Sequence, residues 1–149
     1  MRNLVFVLIF APFLLFSQSK EEEKQEAYLS FLKSQGYIAE VTDAGNISFM
    51  YEGENYFLGV DDDEFYFELF DYLGNSDEGC SNRLKKIVTE VNGSYKTLTV
   101  YFVGDDCSSI KFISSSMLAN KEDFKGLFKR SLSIVKAGKQ SIQEKYSEL

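Results

Sequence analysis

Between Ile47 and Phe70 the chain is written in twos. Ile47, Phe49 and Tyr51 would share one side of an extended strand, and Ser48, Met50 and Glu52 the other, because successive strand side chains point to opposite faces. "EGEN" reads as a hairpin turn, and "YFLGV" (56–60) resumes the pattern. It breaks at Asp61-Asp62-Asp63-Glu64 and restarts in the aromatic run from Phe65 to Phe70. A two-residue loop at Asp62-Asp63 would pair Val60 with Phe65, Gly59 with Tyr66, Leu58 with Phe67 and Tyr56 with Leu69. The apolar pairs then lie on one face, where cross-strand contacts stabilise a sheet, and a slip of one residue would scatter them over both. Asp-Asp is not the preferred Asn-Gly turn, so a loop of three or four residues is the alternative.

The rest of the chain falls around these strands. "SKEEEKQEAYLSFLKSQG" predicts a helix over 20–35, with Glu21 to Glu23 in the first turn, where the helix dipole favours acids, and Gly36 as its stop. "YIAEV" (37–41) is a short strand, and "DYLGNSDEGC" (71–80) reads as a loop. Residues 81–93 predict a helix capped by Ser81 or Asn82, with Leu84, Ile87, Val88 and Val91 inward. Two longer strands follow, 94–104 and 109–118, joined by a turn at "DDCS". From Asn120 to Tyr146 the apolar residues gather on one helical stripe, with Lys125, Lys129, Arg130 and Lys136 opposite. Ser131 and Gly138 lie on that stripe and are small enough for helix and sheet to approach closely there. The predicted order is α-β-β-β-β-α-β-β-α, an α+β fold.

The first nineteen residues stand apart. Arg2 precedes 13 unbroken apolar residues, Leu4 to Phe16, too few for the roughly 20 that a membrane-spanning helix needs. Ser17 and Ser19 suit the positions before a signal peptidase cut. Residues 1–19 therefore read as a signal peptide, cut after Ser17 or Ser19, and 20–149 as a single domain in a secreted or periplasmic protein with no stable membrane span after cleavage. An uncleaved anchor is the alternative. The formal charge of −7 becomes −8 when Arg2 leaves. Phosphates would be repelled, which argues against nucleic acid as a partner. In an oxidising compartment Cys80 and Cys107 predict a disulfide. It would close a loop of 26 intervening residues, and loop-closure entropy gives roughly 3 kcal/mol for such a loop. Two separate thiols are the alternative.

The stretches "FLKSQGYIAEV", "ISFMYEGENYFLGVDDDEFYFELF", "RLKKIVTEVNGSYKTLTVYFV" and "FKGLFKRSLSIVKAGKQSIQEKY" together resemble the YbjN-like family, whose fold is shared with the type III secretion chaperones. The resemblance covers nearly all of 20–149. It implies a curved antiparallel sheet packed by terminal helices. Chaperones of this fold are small, acidic and usually dimeric, and they bind extended segments of partner proteins; a homodimer is accordingly among the expectations. They work in the cytoplasm, whereas this chain carries an export signal. The family has no catalytic motif to transfer.

The residues themselves point the same way. There is no histidine for nucleophile–base catalysis, no G-x-S-x-G, and no glycine-rich phosphate loop. The chain is expected to be a non-enzymatic module that binds a protein or peptide, with no cofactor and no catalytic residue. Two other classes are weighed. One is a metal-dependent hydrolase using acidic turns, with Asp61–Glu64 or Asp105-Asp106 as carboxylates or a calcium site, although the EF-hand order is not met. The other is a small apolar-ligand carrier. The basic side of the last helix, Lys125, Lys129, Lys136 and Lys139, is either a solvated face or a surface for an acidic partner. Phe57, Tyr66 and Phe70 fall on the sheet face opposite the Val60/Phe65 pairs. If no helix covers that face they form an apolar patch of the kind that marks a partner site.

Overall fold

The computed structural model describes residues 19–75 and 79–147. The expected signal segment lies outside the described residues up to Gln18, and so do Ser76 to Glu78 of the predicted loop. Helix α1 (Lys20–Ser34) starts at Ser19. The Ser19 hydroxyl accepts from the Glu22 N–H at 3.2 Å, and the Ser19 N–H donates to the Glu22 carboxylate at 3.3 Å, a reciprocal capping box. Strands β1 (Ala39–Val41), β2 (Ile47–Tyr51), β3 (Glu54–Leu58) and β4 (Tyr66–Gly74) follow, then helix α2 (Asn82–Ser94), strands β5 (Leu98–Val103) and β6 (Ser109–Met117), and helix α3 (Phe124–Ser147). A single 3-10 turn, capped by Asn120, leads into α3. The six strands form an antiparallel sheet in the order β1-β2-β3-β4-β6-β5. The α+β order is the expected one.

One face of this sheet makes the core. Ile47, Phe49, Tyr56, Leu58, Phe67, Leu69, Val100 and Phe112 are buried against Tyr28 and Leu32 of α1, Leu84 and Val91 of α2, and Phe124, Phe128, Leu132 and Val135 of α3. Phe128 lies at the centre, 5.3 Å from Phe31, 5.4 Å from Phe49 and 5.6 Å from Tyr37 between ring centroids, within the range where aromatic pairs gain beyond their burial. The small residues of α3 act as expected. A β-carbon on Gly138 would overlap the Leu98 side chain, and the buried Ser131 hydroxyl accepts from Ser114 of β6 at 3.1 Å.

Three expectations need correction. The β3–β4 register is shifted by two: Leu58 pairs with Leu69 and Phe57 with Phe70, so the loop is wider than Asp62-Asp63. Phe65 is not opposite Val60 in the core but 43% exposed in that loop. An even shift moves no side chain to the other face, so Tyr56, Leu58, Phe67 and Leu69 stay inward. Second, β4 continues through Asp71 to Gly74 where a loop was expected, because Asp71 is neutralised from α3, as described below. Third, α2 runs past Gly93 to Ser94 and β5 begins only at Leu98; the Ser94 hydroxyl bonds back to Glu90 O at 2.8 Å, which completes the last turn of the helix.

A candidate protein-binding face

All three helices pack on the sheet face that carries Phe67 and Leu69, and among the described residues no helix covers the other. That other face carries Met50 of β2, Phe57 of β3, Tyr66, Glu68, Phe70 and Tyr72 of β4, Lys111, Ile113 and Met117 of β6, and Tyr101 of β5, by strand alternation and the register of each pair. Ile38, whose carbonyl accepts from Met50 N–H just before β1, continues it at one side. Seven large apolar residues are exposed among the described residues, and Ile38, Met50, Tyr72, Tyr101 and Met117 of this face are five of them.

The face is ordered by contacts of its own. Phe57 and Phe70 stack at 5.2 Å, 13° from parallel, and Tyr72 meets both edge-on at 5.9 and 5.7 Å. The Lys111 ammonium sits 4.0 Å from the centre of the Phe70 ring and 3.2 Å from the Glu68 carboxylate, a cation–π contact combined with an ion pair. Burial works against the charge on Lys111, yet Glu68, with the Tyr72 and Tyr101 phenols beside it, holds its pKa above the ordinary lysine value. Tyr66 donates to the same carboxylate at 3.0 Å, and burial, with Glu68 beside it, pushes the phenol up. The three residues singled out from sequence therefore differ in role. Phe70 is a buried floor, 4% exposed, while Phe57 and Tyr66 are half-buried.

The acidic turn has a different occupant from the one its composition suggests. Lys24 of α1 is buried, and its ammonium donates to Asp61 Oδ1 at 2.6 Å, Asp63 O at 2.8 Å and Tyr66 O at 2.7 Å. Its three N–H bonds are all used. Asp63 Oδ1 accepts from Phe65 N–H at 2.9 Å, and Glu64 lies 3.8 Å from Lys20. No cluster of three or more metal-ligating side chains is present among the described residues.

Comparison with known proteins bears on the fold. The crystal structure of YbjN from E. coli, described as a candidate transcription regulator, superposes with a TM-score of 0.63 over 83% of this chain and 92% of that one, at 12% identity. The fold is YbjN-like. No protein-family model matches the sequence, and no curated protein does.

The basic side of α3 is mostly committed elsewhere. Lys136 pairs with Glu52 and Lys125 with Glu122. Lys139 reaches both Glu54 at 3.0 Å and Asp71 at 2.8 Å. Asp71 is almost wholly buried, and burial pushes its carboxyl above the usual range while the Lys139 ammonium pulls it back. For Lys139 burial again opposes the charge, and the two carboxylates win and raise its pKa. Lys24 and Asp71 were not foreseen as partners, since nothing local in the sequence marks either; a lysine on the apolar side of α1 was the one available clue. Cys80 and Cys107 are joined as a disulfide, Cα to Cα 5.2 Å, and the Asn75 amide donates to Gly79 O and Cys107 O beside it, both at 2.8 Å.

Proposed function

We propose that this chain is an exported, non-enzymatic module that holds a protein or peptide on its open sheet face. The observation that carries the reading is the concentration of exposed Ile38, Met50, Tyr72, Tyr101 and Met117 on the one face that no described helix covers, since contiguous apolar patches on soluble domains mark partner sites. The YbjN-like fold supports it, as an architecture that hosts binding roles, by analogy of fold alone. Export rests on the leader-like residues 1–19, and the Cys80–Cys107 bridge suits an oxidising compartment. Affinity capture from the exported fraction with the native chain, and with Tyr101→Glu and Met117→Glu beside it, tests the reading. The native chain should retain a partner that both variants lose; capture unaffected by the two changes would refute it. Fractionation of cells, with mass spectrometry of the N-terminus, tests export.

The hydrolase reading loses its main support, because the cation of the acidic turn is Lys24. The carrier reading has one feature in its favour, an open apolar pocket of about 210 Å³ between Leu73, Leu84, Ile110 and Ile142. Native mass spectrometry showing a retained small apolar ligand would favour it over the sheet face.

A further inference from the structure

Resting on that binding reading, the geometry points to the chemistry of the partner: we infer that the open face receives a protein segment that places an arginine between Phe57 and Glu40, over Ser48. The ground is a pattern that this face holds twice. In its first copy the cation is the chain's own. Lys111 is the only lysine or arginine within the six strands. Its ammonium lies 4.0 Å from the centre of the Phe70 ring and 3.2 Å from the Glu68 carboxylate, so a ring and a carboxylate together hold one positive charge.

On the β2 side of the same ring stack these elements recur. Phe57 lies against Phe70 at 5.2 Å, 13° from parallel, so its other ring face is turned toward β2. There its register partner is Ser48, whose own partner on β1 is Glu40. At about 4.8 Å between strands, Glu40 and Phe57 stand about 10 Å apart across the sheet, with only a serine between them. A planar guanidinium suits that gap, because it stacks on a ring face and can donate two hydrogen bonds to one carboxylate. Glu40 is exposed and has no ion-pair partner among the described residues.

Charge and surroundings define the rest of the segment. The formal charge of −7 repels an acidic partner and draws in a basic one. Exposed Met50 and Ile38 lie beside Ser48 and Glu40 on the same face, and offer apolar contact to the residues that flank the arginine. Strand addition at the far edge is blocked, because the Asn92 side chain donates to Val100 O at 2.8 Å and accepts from Val100 N–H at 2.7 Å. A partner of the sheet therefore meets side chains there rather than free backbone.

Blocked tripeptides test this on residues 18–149, which contain the whole described fold. Acetyl-Leu-Arg-Leu-amide is compared with the same peptide carrying citrulline, which keeps the shape of arginine without its charge. Titrations are followed by backbone amide chemical shifts in nuclear magnetic resonance. The arginine peptide should shift Glu40, Ser48 and Phe57 and bind about fivefold more tightly than the citrulline peptide, since a cation–π contact and an exposed ion pair are each modest. Raising salt from about 0.05 to 0.5 M should remove most of that difference. Glu40→Gln should remove the preference, and Ser48→Leu, which fills the gap, should abolish the shifts, both with unchanged melting by circular dichroism. Tyr101→Glu, at the opposite edge of the sheet, should leave the preference intact. Absence of shifts at these residues, equal binding of the two peptides, or a preference that survives Glu40→Gln overturns the inference. The two readings separate: a chain with no arginine preference whose capture of a partner is still lost in Tyr101→Glu removes only the arginine, whereas one with no preference whose capture ignores Tyr101→Glu and Met117→Glu removes both.

Discussion

Replacing Lys24 with methionine isolates the contact that organises the β3–β4 loop. Methionine keeps an apolar side chain of similar length, and the ammonium, which also lies 5.9 Å from the centre of the Tyr28 ring, is lost. Its three acceptors respond differently. Asp61 is 44% exposed and can take water instead, so its share is small. The carbonyls of Asp63 and Tyr66 lie in the part-buried floor of the turn, and hydrogen bonds to a charged donor contribute about 1.5–3 kcal/mol each. Against this, the variant no longer desolvates an ammonium, which offsets several kcal/mol in principle and a fraction of that at a site open on the Asp61 side. The expected net loss is about 2 kcal/mol. For a fold of this size, with roughly 3–5 °C per kcal/mol, thermal unfolding should fall by about 6–10 °C, with a matching drop in the urea midpoint. Lys24→Arg should recover part of it. Calcium should not stabilise the native chain, because the ammonium occupies the space between Asp61 and the two carbonyls. A Lys24→Met protein that melts at or above the native temperature would refute the reasoning and leave the turn to its other bonds, among them Phe65 N–H to Asp63 Oδ1 and Val60 N–H to Asn46 Oδ1.

Four other outcomes are expected. Reducing Cys80–Cys107, or changing both to serine, should cost about 3 kcal/mol by loop-closure entropy, and the native protein should gain two hydrogens in mass on reduction. Asp71 has a folded pKa above its ordinary value because burial disfavours its charge, so its protonation adds stability as pH falls through that folded pKa, complete below the unfolded one; Asp71→Asn should remove this rise, read as urea midpoints from pH 7 down to 3. Asn92→Ala should free the Val100 N–H and carbonyl at the β5 edge, lowering stability by about 1–3 kcal/mol and increasing aggregation on heating, measured by light scattering. Because Ser19 caps α1, cleavage of the proposed leader should leave Gln18 as the first residue rather than Lys20, read by mass spectrometry of the N-terminus; Ser19→Ala should cost about 0.5–2 kcal/mol, measured by urea unfolding.

Local pattern carried the fold a long way, and the places where it failed share a cause. Period two assigned Tyr56, Leu58, Phe67 and Leu69 to the core correctly under the wrong register, because a slip of two residues leaves every face unchanged. The wider loop that goes with the observed register is held by Lys24, which lies 37 residues from Asp61. Asp71 looked like loop because a carboxylate inside a strand is costly alone; it is tolerated because Lys139 arrives from a helix 68 residues away. The α3 lysines looked like a free basic face on a helical wheel, which shows a helix without its neighbours. The small residues Ser131 and Gly138 were legible because they report on their own helix's approach to the sheet.

The candidate site turns on a mismatch between pattern and layers. Along β4, Phe67 and Leu69 face the helices while Phe70 and Tyr72 face away, so the strand is apolar on both sides. Strands with that pattern usually belong to sheets covered on both faces, whereas an antiparallel sheet with one wet face alternates cleanly. Here the covering layer is present on one side only among the described residues. The cost of the uncovered side is reduced from within: Phe57, Tyr72 and the Lys111 ammonium lie against Phe70, which is 4% exposed, and Lys111 neutralises Glu68. What those contacts do not cover is Ile38, Met50 and Tyr101, in one row across the sheet with Tyr72, and Met117 at the far end of β6. These residues make no contribution to the core cluster of the fold. A strand pattern suited to two covered faces, with one cover missing and apolar groups left exposed beside a neutralised Glu68, is the physical argument for a protein surface as the second layer.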